Sequence, residues 1–275
     1  MKGLILFHFQ KLSNYGSGTP AVARTVLQGK QILDFFNSTE EQKSETLKIL
    51  FDLQRHILKC VETRDNVALE IELGRSEYDS YSNQSDNFPQ TIRLPGVGDL
   101  QSKAENFLQA AKLAIAAAGN LPSPFYGKKF NHVFQKFAKW ALDQFGPNDQ
   151  FTISIQGTQS FVAHIVNMRN AVDHPDTEPG APLIYTNFRL HEVESKPVLV
   201  DPSWSLTGGT ITPLLSSFDN IIESLICLGE CVLTNLFYKF RRDNNLAIAH
   251  IPYEKREPDN PQALYVTFQN LDFKS

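Results

Sequence analysis

Residues 212–241 read TPLLSSFDNIIESLICLGECVLTNLFYKFR. Proline directly after Thr212 is favoured in the first turn of a helix, where its missing N–H is not needed. Apolar residues then recur at helical spacing, at Leu214, Leu215, Phe218, Ile221, Ile222, Leu225, Val232, Leu236 and Phe240. We therefore expect the longest helix of the chain here, apolar enough to lie at the centre of the fold.

Helical periodicity extends to other parts of the chain. The second predicted helix begins at Thr39-Glu40-Glu41-Gln42, which fits a capping box. The third is expected to be capped by Asp99 and stopped by Gly119. The predicted helices cover 20–37, 39 to at least 62, 99–119, 125–145 and 158–172.

Runs rich in β-branched and aromatic residues predict a smaller β component. Two such runs between 183 and 204 flank a short polar turn, which indicates an inserted hairpin. Residues 246–251 and 263–269 are expected to be strands that extend the small sheet, and 151–155 a short strand. The fold class is therefore mainly α, a helical bundle with an inserted β-hairpin and C-terminal strands.

These elements suggest four regions. An N-terminal helical region covers 1–75, and a polar loop covers 76–97. A helical bundle that contains the β insertion 183–204 covers 98–242, and the C-terminal strands of 243–275 pack on the same body. We expect the helix that ends near 172 to pack against the helix of 212–241, because both have continuous apolar faces.

Composition limits the function classes. The 275 residues include 26 Lys+Arg and 30 Asp+Glu, for a net charge of -4, so a nucleic-acid site would have to be a local patch. The three cysteines are an odd number without zinc spacing, which favours a reducing compartment. The apolar start is shorter than a signal-peptide core, and no apolar run reaches the ~18 residues of a membrane helix. We expect a cytoplasmic protein with no membrane partner.

The common phosphate-loop, zinc-protease, dithiol and serine-hydrolase motifs do not occur in the sequence. The remaining candidate for a functional motif is Met-Arg-Asn-Ala-Val-Asp-His-Pro at 168–175. On an ideal helix Arg169 and His174 would lie about 140° apart, so they converge only if the helix ends between them. Pro175 favours that ending. Arg169 would then supply a forked cation for phosphate oxygens, and His174 a group for proton transfer.

This segment resembles the R-x4-6-H signature of the HEPN superfamily, in the form Arg-Asn-x-x-x-His followed by Pro. The resemblance covers about 98–242. It implies a helical bundle and, as in many catalytic members, a metal-independent ribonuclease of defence or toxin–antitoxin systems. By the resemblance, Arg169 and His174 would be the catalytic pair, and Asn170 and Asp173 the auxiliary polar residues.

A ribonuclease of this kind needs no metal or cofactor. The ribose 2′-OH attacks the phosphate, which leaves 2′,3′-cyclic phosphate and 5′-hydroxyl ends, and one histidine cannot easily serve as base and acid together. We therefore expect a homodimer that joins two motifs, with RNA as substrate and, for a toxin, a cognate antitoxin as partner. Exposed lysines would bind the RNA backbone, although solvated helix faces explain them equally well. These are Lys128, Lys129, Lys136 and Lys139.

The alternative is a non-catalytic HEPN-like interaction or nucleotide-binding protein. In that case Arg169 pairs with Asp173 at i,i+4, and His174 merely caps the end of a helix. A ribonuclease requires the Arg-His pair to be exposed in a cleft, whereas a scaffold would bury it or leave it on a flat face.

The shortage of a second acid–base group predicts a two-fold dimer with its interface near residues 165–176. Light scattering at micromolar concentration should give the mass of two chains. A monomer under these conditions would count heavily against this prediction.

Overall fold

The computed structural model describes residues 14–82, 94–130, 133–174, 182–194 and 196–268. The fold is mainly helical, with small antiparallel sheets, as expected. The helices are α1 Pro20–Val22, a π-helical segment Ala23–Leu27, α2 Gln28–Leu33, α3 Glu40–Ser82, α4 Leu100–Asn120, α5 Ser123–Tyr126, α6 Phe134–Phe145, α7 Gln150–Asp173 and α8 Leu214–Phe240. The strands are β1 Leu183–Thr186, β2 Arg189–Val193, β3 Lys196–Val200, β4 Ser203–Leu206, β5 Thr212–Pro213, β6 Leu246–His250 and β7 Leu264–Phe268.

Helix α8 lies at the centre of the fold, as predicted, and contacts α3, α4 and α7. The ring of Phe218 stacks on Phe107 of α4 with centroids 3.8 Å apart. Gly229 allows close approach to α3, because a Cβ there would lie 2.7 Å from Leu53 Cδ2. The contact between α7 and α8 confirms the predicted pairing of these two helices.

The longest helix is α3, with 43 residues against 27 in α8, so that part of the prediction is wrong. Its capping box is confirmed: Gln42 N donates to Thr39 Oγ1 at 3.1 Å, and Thr39 N donates to Gln42 Oε1 at 3.0 Å. The polar loop expected from residue 76 is wrong for 76–82, which continue the helix. Tyr78 explains the extension, because its ring is buried and its hydroxyl donates to Pro197 O at 3.2 Å. Residues 83–93 of the expected loop lie outside the described residues.

The predicted helix 125–145 is two helices. Gly127 ends α5 with a φ of +65°, a left-handed conformation that glycine adopts without strain, and α6 begins only at Phe134. The end of α4 also differs, since Gly119 stays inside that helix beneath Phe134 and Phe137. Asp99 has a left-handed backbone and makes no side-chain capping bond.

Residues 151–155 belong to α7 and are not a strand. The side chain of Asp149 caps the helix by accepting a hydrogen bond from Phe151 N at 3.0 Å. Phe151, Ile153 and Ile155 alternate with polar residues, which imitates a strand. In the helix, Phe151 and Ile155 share a buried face, and Ile153 is exposed.

The β region is more extensive than one hairpin. Strands β1, β4 and β5 form one antiparallel sheet, and β2 and β3 form a separate hairpin. Thr212 and Pro213 form β5 rather than the first turn of α8. The strands β6 and β7 pair only with each other among the described strands, so they do not extend the other sheet.

The first predicted helix, 20–37, ends at Leu33 and contains the π-helical segment. This segment holds Arg24, which is 6% exposed. Arg24 Nε and Nη2 donate to the two carboxylate oxygens of Glu230 at 3.0 and 2.6 Å, and Nη1 donates to Glu223 at 2.6 Å. Burial alone would lower the pKa of Arg24, but the hydrogen bonds and charges of Glu230 and Glu223 raise it overall. The guanidinium thus joins the N-terminal helices to α8.

Gln28 extends this connection to the C-terminal sheet. Its Nε2 donates to Glu230 Oε1 at 3.0 Å, and its Oε1 accepts from the backbone N–H groups of Ala263 and Leu264, both at 2.8 Å. Gln28 is fully buried, so every one of these bonds is shielded from water. Gln28 therefore fixes the C-terminal sheet to the helical body.

Among the described residues, α8 is the helix long and apolar enough to cross a membrane. However, 61% of its most apolar window is buried inside the chain, as in the core helix of a globular bundle.

Arg24→Met should lower the free energy of unfolding by about 3–5 kcal/mol, because it leaves the buried Glu230 carboxylate without its cation. Lys48→Met removes an exposed pair with Glu45 and should cost at most about 1 kcal/mol. Urea unfolding of the two variants measures the difference. Equal midpoints and slopes would show that the Arg24 pair contributes little.

Candidate functional site

The Arg-His motif lies at the C-terminal end of α7. The helix ends at Asp173, and His174 is its C-cap with a φ of −139° and a ψ of 63°. His174 N donates to Asn170 O at 2.8 Å, which closes the last helical turn. Asn170, Asp173 and His174 are exposed. The helix therefore ends where convergence of Arg169 and His174 requires it, while Pro175 is outside the described residues.

Arg169 is held by two neighbours. Its Nε donates to Gln109 Oε1 of α4 at 2.9 Å. Its Nη1 lies 2.6 Å from Asp173 Oδ1, an ion contact without the angle of a good hydrogen bond. The Arg169 side chain is only 16% exposed. The i,i+4 pairing of the alternative interpretation is thus present, and Arg169 is far less exposed than His174.

Tyr185 of β1 completes a polar cluster around Arg169. Its half-buried side chain has a hydroxyl without a hydrogen-bond partner among the described residues. Burial raises the pKa of Tyr185, the negative charge of Glu105 raises it further, and Arg169 partly offsets both. Glu105 accepts a hydrogen bond from Gln101 at 2.8 Å. The cluster thus contains the Arg169 cation, the carboxylates of Asp173 and Glu105, and the Tyr185 hydroxyl, which has no hydrogen-bond partner among the described residues.

The sheet brings Tyr185 to this place. Tyr185 lies opposite Trp204 in the β1–β4 register, so the two side chains share one face of the sheet. Trp204 is buried and makes an edge contact with Phe218 of α8, with centroids 5.3 Å apart. This face of the sheet therefore covers the helices.

Sequence reasoning missed Glu105, Gln109 and Tyr185. Glu105 and Gln109 are four residues apart, so they lie on the same face of α4. Two polar residues at this spacing in an otherwise apolar helix indicate that this face meets another polar group. Nothing near Tyr185 in the sequence signals its partner, because the contact depends on how β1 packs against α7.

The four predicted substrate-binding lysines are exposed but lie away from the motif. Lys139 pairs with Asp143 at 2.9 Å on α6. This helix meets the start of α7, where Thr152 Oγ1 donates to Ala141 O at 3.0 Å. Arg169 lies about 25 Å further along α7, taking an ideal helical rise.

The other three lysines lie near the C-terminal end of α4. Lys128 and Lys129 precede Phe130, whose N–H donates to Asn120 at 3.0 Å. Lys136 is in the first turn of α6, which packs against the same end of α4. Gln109, the α4 residue that contacts Arg169, lies about 16 Å back along that helix. The structure does not bring these lysines to the motif.

Within the described ranges, no group of three or more His, Cys, Asp or Glu side chains is arranged to hold a metal ion. The three cysteines are free thiols in the structure. Burial raises the pKa of Cys60, and of Cys227 and Cys231, which favours the unreactive protonated form.

Comparisons with protein-family models, curated proteins and solved structures find no match to this chain. The resemblance to the HEPN superfamily therefore depends on the motif at 169–174 and its place at the end of a helix in a helical bundle.

Tyr185→Phe should leave the free energy of unfolding unchanged or raise it by up to about 1 kcal/mol, because it removes a buried hydroxyl that has no partner in the described structure. Tyr78→Phe is the matched control, since it removes a hydroxyl that does donate a hydrogen bond, and it should cost about 1 kcal/mol. Chemical denaturation compares them. If Tyr185→Phe lowered the free energy of unfolding more than Tyr78→Phe does, the Tyr185 hydroxyl would have a hydrogen-bond partner and this prediction would be wrong.

Proposed function

We propose that the chain is a cytoplasmic, metal-independent, HEPN-like endoribonuclease that acts through Arg169 and His174. The observation that carries the proposal is the end of α7 at Asp173, which places exposed His174, the last residue of the motif, at the C-cap with a non-helical backbone. Exposed Asn170 and His174 can meet a substrate directly. Arg169 is fixed by Gln109 and Asp173, as a cation needs to be if it is to bind a phosphate in one orientation.

The reaction consists of one displacement at phosphorus. A histidine accepts the proton of the ribose 2′-OH, the 2′-oxygen attacks the phosphorus, and the bond to the 5′-oxygen breaks. A second acid protonates the departing 5′-oxygen. Arg169 offsets the negative charge that develops on the phosphate oxygens. His174 of one copy serves as the base and His174 of a second copy as the acid, which is why the proposal includes a homodimer.

In the cell, this activity suits the toxin of a defence or toxin–antitoxin pair. The net charge of -4 gives such an enzyme little general attraction to RNA, so substrate would be held by local contacts. A cognate antitoxin would then cover the exposed end of α7, where Asn170 and His174 lie.

The second candidate is a non-catalytic HEPN-like interaction or nucleotide-binding protein. The burial of Arg169 and its ion pair with Asp173 favour this reading, because Asp173 already neutralises the guanidinium. On this reading the Arg169 contacts connect α4 and α7 as part of the scaffold.

Cleavage of single-stranded RNA in EDTA separates the two candidates. If the chain is a ribonuclease, His174→Ala and Arg169→Ala should each lower the rate by about 10²- to 10⁴-fold. His164→Ala is the matched control, since His164 is an exposed histidine of the same helix outside the motif. The products should carry 2′,3′-cyclic phosphate and 5′-hydroxyl ends.

Melting curves of each variant show whether a loss of RNA cleavage is caused by unfolding of the protein. This matters for Arg169→Ala, which removes a largely buried side chain, whereas His174 is exposed and its variant should melt as the wild type does. Wild-type protein that leaves RNA intact, or His174→Ala protein that cleaves at the wild-type rate, would favour the non-catalytic candidate.

A further inference from the structure

A cleft lies on the sheet face opposite to Tyr185 and Trp204. It has a volume of about 490 Å³, within the range of small-molecule sites. Its polar lining comes from Arg75 of α3, Arg189 of β2, and Asp201 and Ser203. The cleft contains no residue of the Arg-His motif.

Two of its three charges neutralise each other. Arg75 Nε donates to Asp201 Oδ1 at 2.8 Å, and Arg75 Nη2 contacts Asp201 Oδ2, which makes a two-point pair. This pair raises the pKa of Arg75 through the hydrogen bond to Asp201, so the guanidinium stays charged and occupied. The Asp201 carboxylate is therefore not available to a second cation.

Arg189 is the cation that remains. It is exposed, and it has no hydrogen bond or ion pair with any residue in the described parts of the chain. With Arg75 and Asp201 balanced, the charges of the lining residues sum to +1, and Asp79, outside the lining, acts on Arg75. A guanidinium without a carboxylate partner in a concave site is suited to two-point binding of a carboxylate or a phosphate.

Ser203 adds a second group that lacks a partner. The residue is only 5% exposed, and its Oγ has no hydrogen-bond partner among the described residues. Because successive side chains of a strand alternate, Ser203 faces the cleft while Trp204 faces the helices. A buried hydroxyl without a partner is unfavourable in the free protein, and an acceptor atom in the cleft would satisfy it.

The rest of the lining is apolar. Leu199 and Ile211 are among these residues, and Ile211 is 56% exposed. An inorganic anion would leave this surface in contact with water, whereas an organic anion would cover it.

We propose that this cleft binds a small organic anion, with its carboxylate or phosphate head on Arg189 and Ser203 and its apolar body against Leu199 and Ile211. The shared chemistry of the ligand is an oxyanion on an apolar body. The site is independent of the ribonuclease proposal, because none of its residues belongs to the motif or its polar cluster.

Isothermal titration calorimetry of the full chain at constant ionic strength tests the site with three probes: phenyl phosphate, benzoate and inorganic phosphate. We expect phenyl phosphate or benzoate to bind measurably more tightly than inorganic phosphate, and the stronger of the two identifies the head group. Arg189→Met should weaken the stronger probe at least tenfold, and Ser203→Ala several-fold.

Arg55→Met is the matched control, because Arg55 is an exposed arginine outside the cleft that pairs with Asp52 at 2.9 Å. It should leave probe affinity unchanged. Both cleft variants should fold, since Arg189 is exposed and the Ser203 hydroxyl has no partner to lose, and melting curves verify this. No binding of either organic probe, or equal affinity in Arg189→Met and wild type, overturns the proposal. Equal affinity for inorganic phosphate and both organic probes overturns the assignment of an organic ligand.

Discussion

The buried guanidinium of Arg24 is the contact on which the arrangement of the N-terminal helices and the C-terminal sheet depends. It connects the π-helical segment to Glu230 and Glu223 on the central helix. Gln28 shares Glu230 and also binds the backbone before β7. Each of these groups would be costly to bury alone, so they are stable only together. One polar network thereby sets the position of the N-terminal helices, α8 and the C-terminal sheet.

The motif at the end of α7 depends on the same central helix. Because α8 packs against α4 and α7, it holds these two helices close enough for Gln109 to reach Arg169. Strand β1 of the β1–β4–β5 sheet packs against α7 and brings Tyr185 into electrostatic interaction with Arg169. The two faces of this sheet differ in chemistry. On one face Trp204 packs against the helices, and on the other Ser203 lines the cleft that contains Arg189. The β1–β4–β5 sheet thus separates two polar regions, one on each of its faces.

Local sequence signals predicted the helical class, the capping box at Thr39 and the central place of α8. They failed where tertiary contacts decided the outcome. Residues 76–82 are polar in sequence yet helical, because Tyr78 is buried against the β2–β3 hairpin. The alternation of apolar and polar residues at Phe151–Ile155 fits a strand as well as a helix. The Asp149 cap and the packing of α7 decide for the helix. At the site, Pro175 indicated the helix end, but the hydrogen bond of Arg169 to Gln109 and its electrostatic interaction with Tyr185 join residues distant in sequence.

The π-helical segment Ala23–Leu27 makes this part of the chain sensitive to its length. A π turn accommodates one more residue than an α turn, so Arg24 lies about 100° from where a regular α-helix of the same residues would place it relative to the helix that follows. If these residues returned to α geometry at unchanged length, Arg24 would turn away while Gln28 stayed in place, and the two side chains could no longer meet at Glu230. One more residue in this turn would rotate Arg24 in the same way. Loss of one residue would leave the flanking helices in nearly the same orientation, because the π turn already absorbs that residue.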